Sequence, residues 1–267
     1  MADDEYDALE DFEETDFTHG GRKRLVYSRG TGPAVVVMSE IPGITPLVAD
    51  FARHVVERGC TVFMPVLFGT PGKPPTGPYA IGSLVRSCVS RDFHALALAE
   101  PSPVTVWLRA LAADAHRQCG GPGVGAVGMC LTGNFALAMM VDDRVVAPVL
   151  SQPSLPFPIG AKRKRDLHIS ADDLTVVKDR VAQGACVLGL RFTADPMVPT
   201  ERFERLRQEL GDGFISVEID SSKGNPHGHR RAAHSVLTED LIDQPGQPSR
   251  AALRQVLDFL ADRLLTG

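Results

Sequence analysis

The sequence predicts an α/β protein with a mostly parallel central sheet and helices on both faces. Three observations carry this. Short apolar runs rich in β-branched residues recur along the 267 residues, such as Ala-Val-Val-Val-Met at 34–38. Runs without alternation suit strands buried on both faces. Amphipathic helical stretches alternate with these runs, and that alternation gives parallel strands joined by crossovers. Reactive side chains then gather where apolar runs end, the place where open α/β sheets collect their functional groups.

Taken in order, the first sixteen residues hold nine acidic ones and little apolar periodicity. Residues 1–20 are therefore expected to be an acidic tail, mobile or a frayed helix anchored by Leu9 and Phe12, ahead of a single domain over 21–267. Residues 23–29 read as an opening strand, and Thr31-Gly-Pro33 as a turn. The buried strand at 34–39 leads to Glu40-Ile-Pro-Gly43, then to a helix over 46–58 with Leu47, Phe51, Val55 and Val56 on one face. A strand follows at 60–65. The Gly- and Pro-rich stretch 66–82 is long for a connection and reads as a lid or pocket wall. Helices are predicted over 83–99 and 102–117, separated by Pro101 and Pro103. Further strands are predicted at 144–150, 185–192 and 214–219. A Pro-rich loop covers 153–161, and helices are expected over 171–182, capped by Ser170, and from Pro199 to 210. A polar loop over 220–249 precedes a last helix at 251–265. No internal repeat is visible.

Composition narrows the function. The hydrophobic share of 43% and charged share of 23% are those of an ordinary globular protein. A net charge of −5 argues against nucleic acid as the main partner. The one basic cluster, Lys162-Arg-Lys-Arg165, reads as a solvated loop. Five cysteines, an odd count without C-x-x-C spacing, do not form a disulfide framework or a zinc site, so a reducing cytoplasm is expected. The acidic N-terminus does not resemble a signal peptide, and no apolar run reaches the length of a membrane span.

The stretch around Cys130 organises the chemistry. An apolar strand-like run from Val124 ends at Gly128, Cys130 follows two residues later, and Gly133 opens a helix-like run. This is the shape of a nucleophile elbow, in which a sharp strand-to-helix turn holds its tip residue in strained backbone geometry. Glycines flank the tip because larger side chains would collide with the neighbouring strand or helix. At the start of a helix, unpaired amides and the helix dipole favour a thiolate. The Leu131 amide would point at an oxyanion forming on an attacked carbonyl. A buried core cysteine is the competing reading of Cys130.

Three further strand ends carry reactive groups: Glu40, Asp195, and the histidines after the last strand. Nucleophile, acid, histidine is the chain order of an α/β-hydrolase. A cysteine nucleophile needs a histidine to move protons, and the histidine needs an acid to fix its tautomer and stabilise its cation. Asp195, after a strand and before Pro196, suits the acid, although taken alone a turn or cap for the following helix is the simpler explanation. For the base, His227, His229 and His234 all qualify. His227 and His229 lie in a sequence suited to an exposed turn, whereas apolar neighbours could hold the His234 ring, and His234 is favoured. His19, His54, His94 and His116 read as structural.

With Glu40-Ile-Pro-Gly43, Gly128-Met-Cys-Leu-Thr-Gly133, Ala194-Asp-Pro-Met-Val-Pro199 and a histidine before the last helix, the chain resembles the dienelactone hydrolase family of α/β-hydrolases from about residue 23 to 265. The resemblance implies a triad of Cys130, Asp195 and one of the loop histidines, a Glu40 that contacts the resting thiol and helps to ionise it, and an Ile41 amide that joins Leu131 in the oxyanion hole. It also implies arginines that hold a substrate carboxylate, for which Arg86, Arg91 and Arg231 are candidates, Arg91 foremost. The chain departs from the family pattern in two places. Thr132 stands where a glycine is common, and the connection from 220 to 234 is long.

The expected activity is hydrolysis of a lactone or small carboxylic ester through a cysteine acyl-enzyme, with no metal or organic cofactor, no nucleic-acid or membrane partner, and a monomer or homodimer as the working form. Two other readings fit the sequence: a non-catalytic module that keeps the fold but not the triad, and a thioesterase or acyltransferase on the same scaffold.

Overall fold

A computed structural model describes residues 5–77, 79, 102–154 and 158–266. Strands β1 (Glu13–His19), β2 (Arg22–Arg29), β3 (Ala34–Met38), β4 (Thr61–Pro65), β5 (Val124–Met129), β6 (Val145–Ser151), β7 (Val187–Phe192) and β8 (Phe214–Ile219) form one sheet in the order β1-β2-β4-β3-β5-β6-β7-β8. β1 pairs with β2, and β2 with β4, antiparallel; every pairing from β4 to β8 is parallel.

The described helices are α1 (Pro46–Glu57), α2 (Pro103–Cys119), α3 (Gly133–Met139), α4 (Ala161–Arg165), α5 (Ala171–Ala182), α6 (Thr200–Leu210) and α7 (Pro248–Leu264). Their starts are written locally. Thr45, Ser102 and Ser170 each accept a hydrogen bond from an amide of the first turn of α1, α2 and α5, and Pro46 and Pro103 occupy positions whose missing N–H costs nothing. Residues from α2, α3, α5 and α6 pack on one face of the sheet, and residues from α1 and α7 on the other. β3 shows why its sequence is apolar throughout: Ala34, Val36 and Met38 enter the first core, and Val35 and Val37 the second. Each buried Val or Met side chain of this strand stabilises the fold by roughly 1.5–3 kcal/mol. Among the described residues no helix is long and apolar enough to cross a membrane.

The structure corrects the reading of the N-terminus. Glu13–His19 is a strand, not part of a mobile tail, and pairs residue for residue with β2. Leu9 and Phe12 are buried. Arg53 of α1 donates to Asp7 at 2.8 Å and to Asp11 at 2.8 Å, so these two acidic residues are ion-paired rather than free. Alternating burial was the missing cue, because six of the seven β1 positions stay exposed on this edge strand. The basic cluster at 162–165 is also not a loop but lies in α4, where Lys164 reaches Glu201 at 3.3 Å and Arg165 reaches Gln208 at 2.5 Å on α6. The helix expected over 83–99, with Arg86 and Arg91, lies outside the described residues. Residues 66–77 of the Gly- and Pro-rich stretch form a loop laid on the segment after β3, with the Gly72 amide donating to Ile44 O at 2.7 Å.

Candidate active site

Five strand ends meet at the carboxyl edge of the sheet. β3 leads to Glu40, β5 to Cys130, β6 to Gln152 and Ser154, β7 to Asp195, and β8 to the long loop that carries His234.

Cys130 stands at φ +58° as the first residue of a single 3-10 turn that joins β5 to α3. That is left-handed backbone, which a non-glycine residue adopts only when the surroundings over-determine it. Here they do. A Cβ on Gly128 would lie 2.1 Å from the Thr132 carbonyl oxygen, and one on Gly133 would lie 2.9 Å from Pro153 Cα. Thr132 makes good the family departure. Its buried hydroxyl accepts from the Met129 amide at 2.8 Å and donates to Met38 O at 2.8 Å, binding the elbow to the end of β3.

The ring bound to Asp195 is that of His234. Its Nδ1 lies 2.6 Å from Asp195 Oδ2. Asp195 is buried, and its other oxygen accepts from the Met197 amide at 2.8 Å, so one side chain both shapes the turn after β7 and orients the imidazole. His234 Nε2 is buried and makes no hydrogen bond of ordinary geometry to the described residues. Burial by itself disfavours the charged ring. The electrostatic influence of Cys130 and the hydrogen bonds to Asp195 and Cys130 outweigh it, and the imidazole sits well above its ordinary value of 6.5. Cys130 thus acts on the ring that Asp195 holds at Nδ1.

The loop of His234 is fixed by Asp240, whose Oδ2 accepts from the His234 amide at 2.7 Å and the Ser235 amide at 3.1 Å, while Oδ1 accepts from Arg230 Nε at 2.7 Å. Of the other two candidate histidines, His229 is not exposed as its neighbours suggested. It is buried with its ring 5.0 Å from that of Phe192, and burial holds it below its ordinary value, with the charge of His227 acting in the same sense. His227 is half-buried, its amide donating to Asn225 Oδ1 at 3.2 Å.

Glu40 is where the geometry departs most from expectation. It is buried, but its oxygens are occupied by three donors from elsewhere: Ser235 Oγ at 2.6 Å, Gln152 Nε2 at 3.3 Å, and the Thr238 hydroxyl. The side chain hydrogen-bonded to the Cys130 sulfur is instead Ser154, with Oγ 2.9 Å from Sγ. The resting contact anticipated between Glu40 and the thiol is thus corrected. Glu40 joins the end of β3 to the histidine loop, because the hydroxyls of Ser235 and Thr238 reach it first. Gln152 extends the network, its Oε1 accepting from the Val236 amide at 3.3 Å.

Sequence reasoning missed Ser154, Gln152 and Asp240. A polar residue just past β6 is a faint signal for the first two. Nothing local marks the third. Neither the Ile41 nor the Leu131 amide has a hydrogen-bond partner among the described residues. Arg231 is exposed, and Arg86 and Arg91 are outside the described residues. Behind the site Arg202 is buried, donates to Pro153 O at 2.6 Å, and is pushed down to about 10 by that burial.

Comparison with solved structures finds the same fold in proteins of low identity. A Klebsiella pneumoniae protein assigned as a dienelactone hydrolase is 20% identical, with 94% of this chain and 98% of that chain covered at a TM-score of 0.61. The dienelactone hydrolase of Anabaena variabilis is 16% identical, with 95% and 99% covered at 0.60. A thioesterase domain from the curacin biosynthetic pathway is 11% identical, with 92% and 99% covered at 0.54. The architecture is that of an α/β-hydrolase. Comparison with curated proteins gives no match. The dienelactone hydrolase family model matches residues 23–264, nearly the whole chain, and the protein belongs to that family.

Proposed function

We propose that the protein hydrolyses a lactone or small carboxylic ester through a cysteine acyl-enzyme, with Cys130 as nucleophile, His234 as base and acid, and Asp195 as its orienting carboxylate. The observation that carries this is the union at one strand edge of a sulfur on a left-handed elbow and an imidazole whose Nδ1 is held 2.6 Å from a buried carboxylate. The raised proton affinity of His234 favours an imidazolium beside a thiolate.

In the reaction the thiolate attacks the carbonyl carbon, and the π electrons move to oxygen. The unoccupied amides of Ile41 and Leu131 are the donors that would hold this oxyanion. As the tetrahedral centre collapses, the C–O bond breaks and His234 Nε2 gives its proton to the departing alkoxide. Water then gives a proton to the same nitrogen and attacks the thioester, the C–S bond breaks with its electron pair on sulfur, and the acid is released. Every step uses protons already on the chain or on water. Glu40, engaged with the histidine loop, acts as a positioning residue in this scheme rather than as the base for the thiol. Arg91 stays a candidate for a substrate carboxylate. A small molecule as the partner, a monomer or homodimer, and a reducing cytoplasm complete the reading. The described cysteines, 60, 119, 130 and 186, are all free.

Turnover of small activated esters by Cys130→Ala tests the proposal. A fall on the order of 10³-fold or more is expected. Full activity in that variant refutes it. Iodoacetamide labelling separates the non-catalytic reading, which predicts sluggish, equivalent thiols in place of one fast one.

A further inference from the structure

We propose that Ser154 is a further catalytic residue, whose hydroxyl donates to the Cys130 sulfur whenever that atom is anionic, in the resting enzyme and again as it departs from the acyl-enzyme. The inference rests on the cysteine acyl-enzyme reading and goes beyond it, since no part of the triad requires this group.

Geometry makes the contact a built one. Ser154 is fully buried, and among the described residues the sulfur 2.9 Å away is the only hydrogen-bond partner of its hydroxyl. A hydroxyl enclosed in this way needs an acceptor for its hydrogen. A thiolate is such an acceptor, and hydrogen bonds to charged groups are the strong ones. Its position does not depend on the sulfur alone. The Ser154 amide donates to Cys130 O at 3.0 Å. Asn134, itself buried, uses one Nδ2 to donate to both Leu131 O at 3.0 Å and Ser154 O at 2.9 Å. Arg202 holds the preceding carbonyl, Pro153 O, at 2.6 Å. The elbow and the segment after β6 are thereby clamped together at the nucleophile.

The consequences for the two half-reactions are opposite. Before acylation the hydroxyl stabilises the thiolate, which enlarges its population near neutral pH but makes each thiolate a weaker nucleophile. In deacylation the C–S bond breaks, the electron pair settles on sulfur, and a donor already in place stabilises that developing charge. Water supplies the entering oxygen, and His234 takes its proton.

The test compares wild type, Ser154→Ala and Ser154→Thr by two readouts: the pH profile of Cys130 alkylation, and burst kinetics on an activated ester. For Ser154→Ala we expect the alkylation profile to move up by about one to two pH units, with its alkaline plateau equal or higher. The steady-state rate should fall roughly 10- to 100-fold while acyl-enzyme accumulates. Ser154→Thr, which keeps the hydroxyl, should restore the profile. If Ser154→Ala fails to fold, Ser154→Gly deletes the same group and is read the same way. An alkylation profile and deacylation rate that match wild type overturn the proposal and leave the acyl-enzyme reading standing. A uniform loss at every pH, with the plateau lowered, also overturns it, because that marks a packing role. Failure of the underlying reading looks different: Cys130→Ala would then be as active as wild type, and no burst would appear in any variant.

Discussion

Asp240 holds His234 by its backbone: the His234 amide donates to Asp240 Oδ2 at 2.7 Å, while Asp195 holds the ring at Nδ1. The histidine is therefore fixed at both ends by two carboxylates that belong to different turns. One sets where the residue sits, and the other sets how its ring points.

Loss of the backbone anchor should cost rate before it costs fold. In Asp240→Ala the amides of His234 and Ser235 lose their acceptor, and a small displacement of a reacting group is expensive. We expect kcat on activated esters to fall by about 10- to 100-fold with KM little changed. Unchanged kcat would show that the loop holds its shape without this clamp.

Asp195→Asn should preserve the structure and present the wrong hydrogen-bonding pattern to Nδ1. Orienting carboxylates of this kind are worth on the order of 10⁴ in kcat where they have been removed. We expect a loss of at least about 10²-fold in ester turnover, with thermal stability near that of wild type. Activity within a few-fold of wild type would remove Asp195 from the proposed triad.

The His234 ring should report the charge on sulfur. Followed by NMR, its titration in wild type should lie well above the ordinary 6.5, against the lowering effect of burial. In Cys130→Ala the anion is gone, and the titration should drop. The folded value is raised above the unfolded one. The imidazole's contribution to stability is therefore complete below about 6.5 and is lost as pH rises through the folded value. The melting temperature of wild type should accordingly lose this contribution toward alkaline pH. An identical titration in the two proteins would mean that the sulfur does not influence the ring.

The elbow stores strain at one residue and tolerates no Cβ at another. Cys130 occupies φ +58°, so Cys130→Gly should be more stable than Cys130→Ala by about 1 kcal/mol. Gly128→Ala should do the reverse. Its Cβ would meet the Thr132 carbonyl oxygen at 2.1 Å, a backbone atom with no room to yield, and a loss of about 3 kcal/mol or more in chemical denaturation is expected. Equal stabilities for all three variants would show that the turn adapts freely.

The sequence by itself determined what neighbouring residues impose on one another. The elbow at Cys130 was readable because the glycines at 128 and 133 answer to space within a single turn. Ser170 and Asp195 were readable because a cap or turn side chain bonds to amides two or three residues away. The parallel sheet followed from apolar runs whose alternate side chains fill two cores. Tertiary structure alone decided what depends on strand order and on loops that cross between strand ends. β1 carries almost no apolar pattern and becomes a strand only because β2 offers it an edge. Glu40 meets Ser235 and Thr238 across 195 and 198 residues, and Ser154 meets Cys130 across 24. Such contacts have no local period, because each is fixed by where two separate segments happen to end after the whole sheet is assembled.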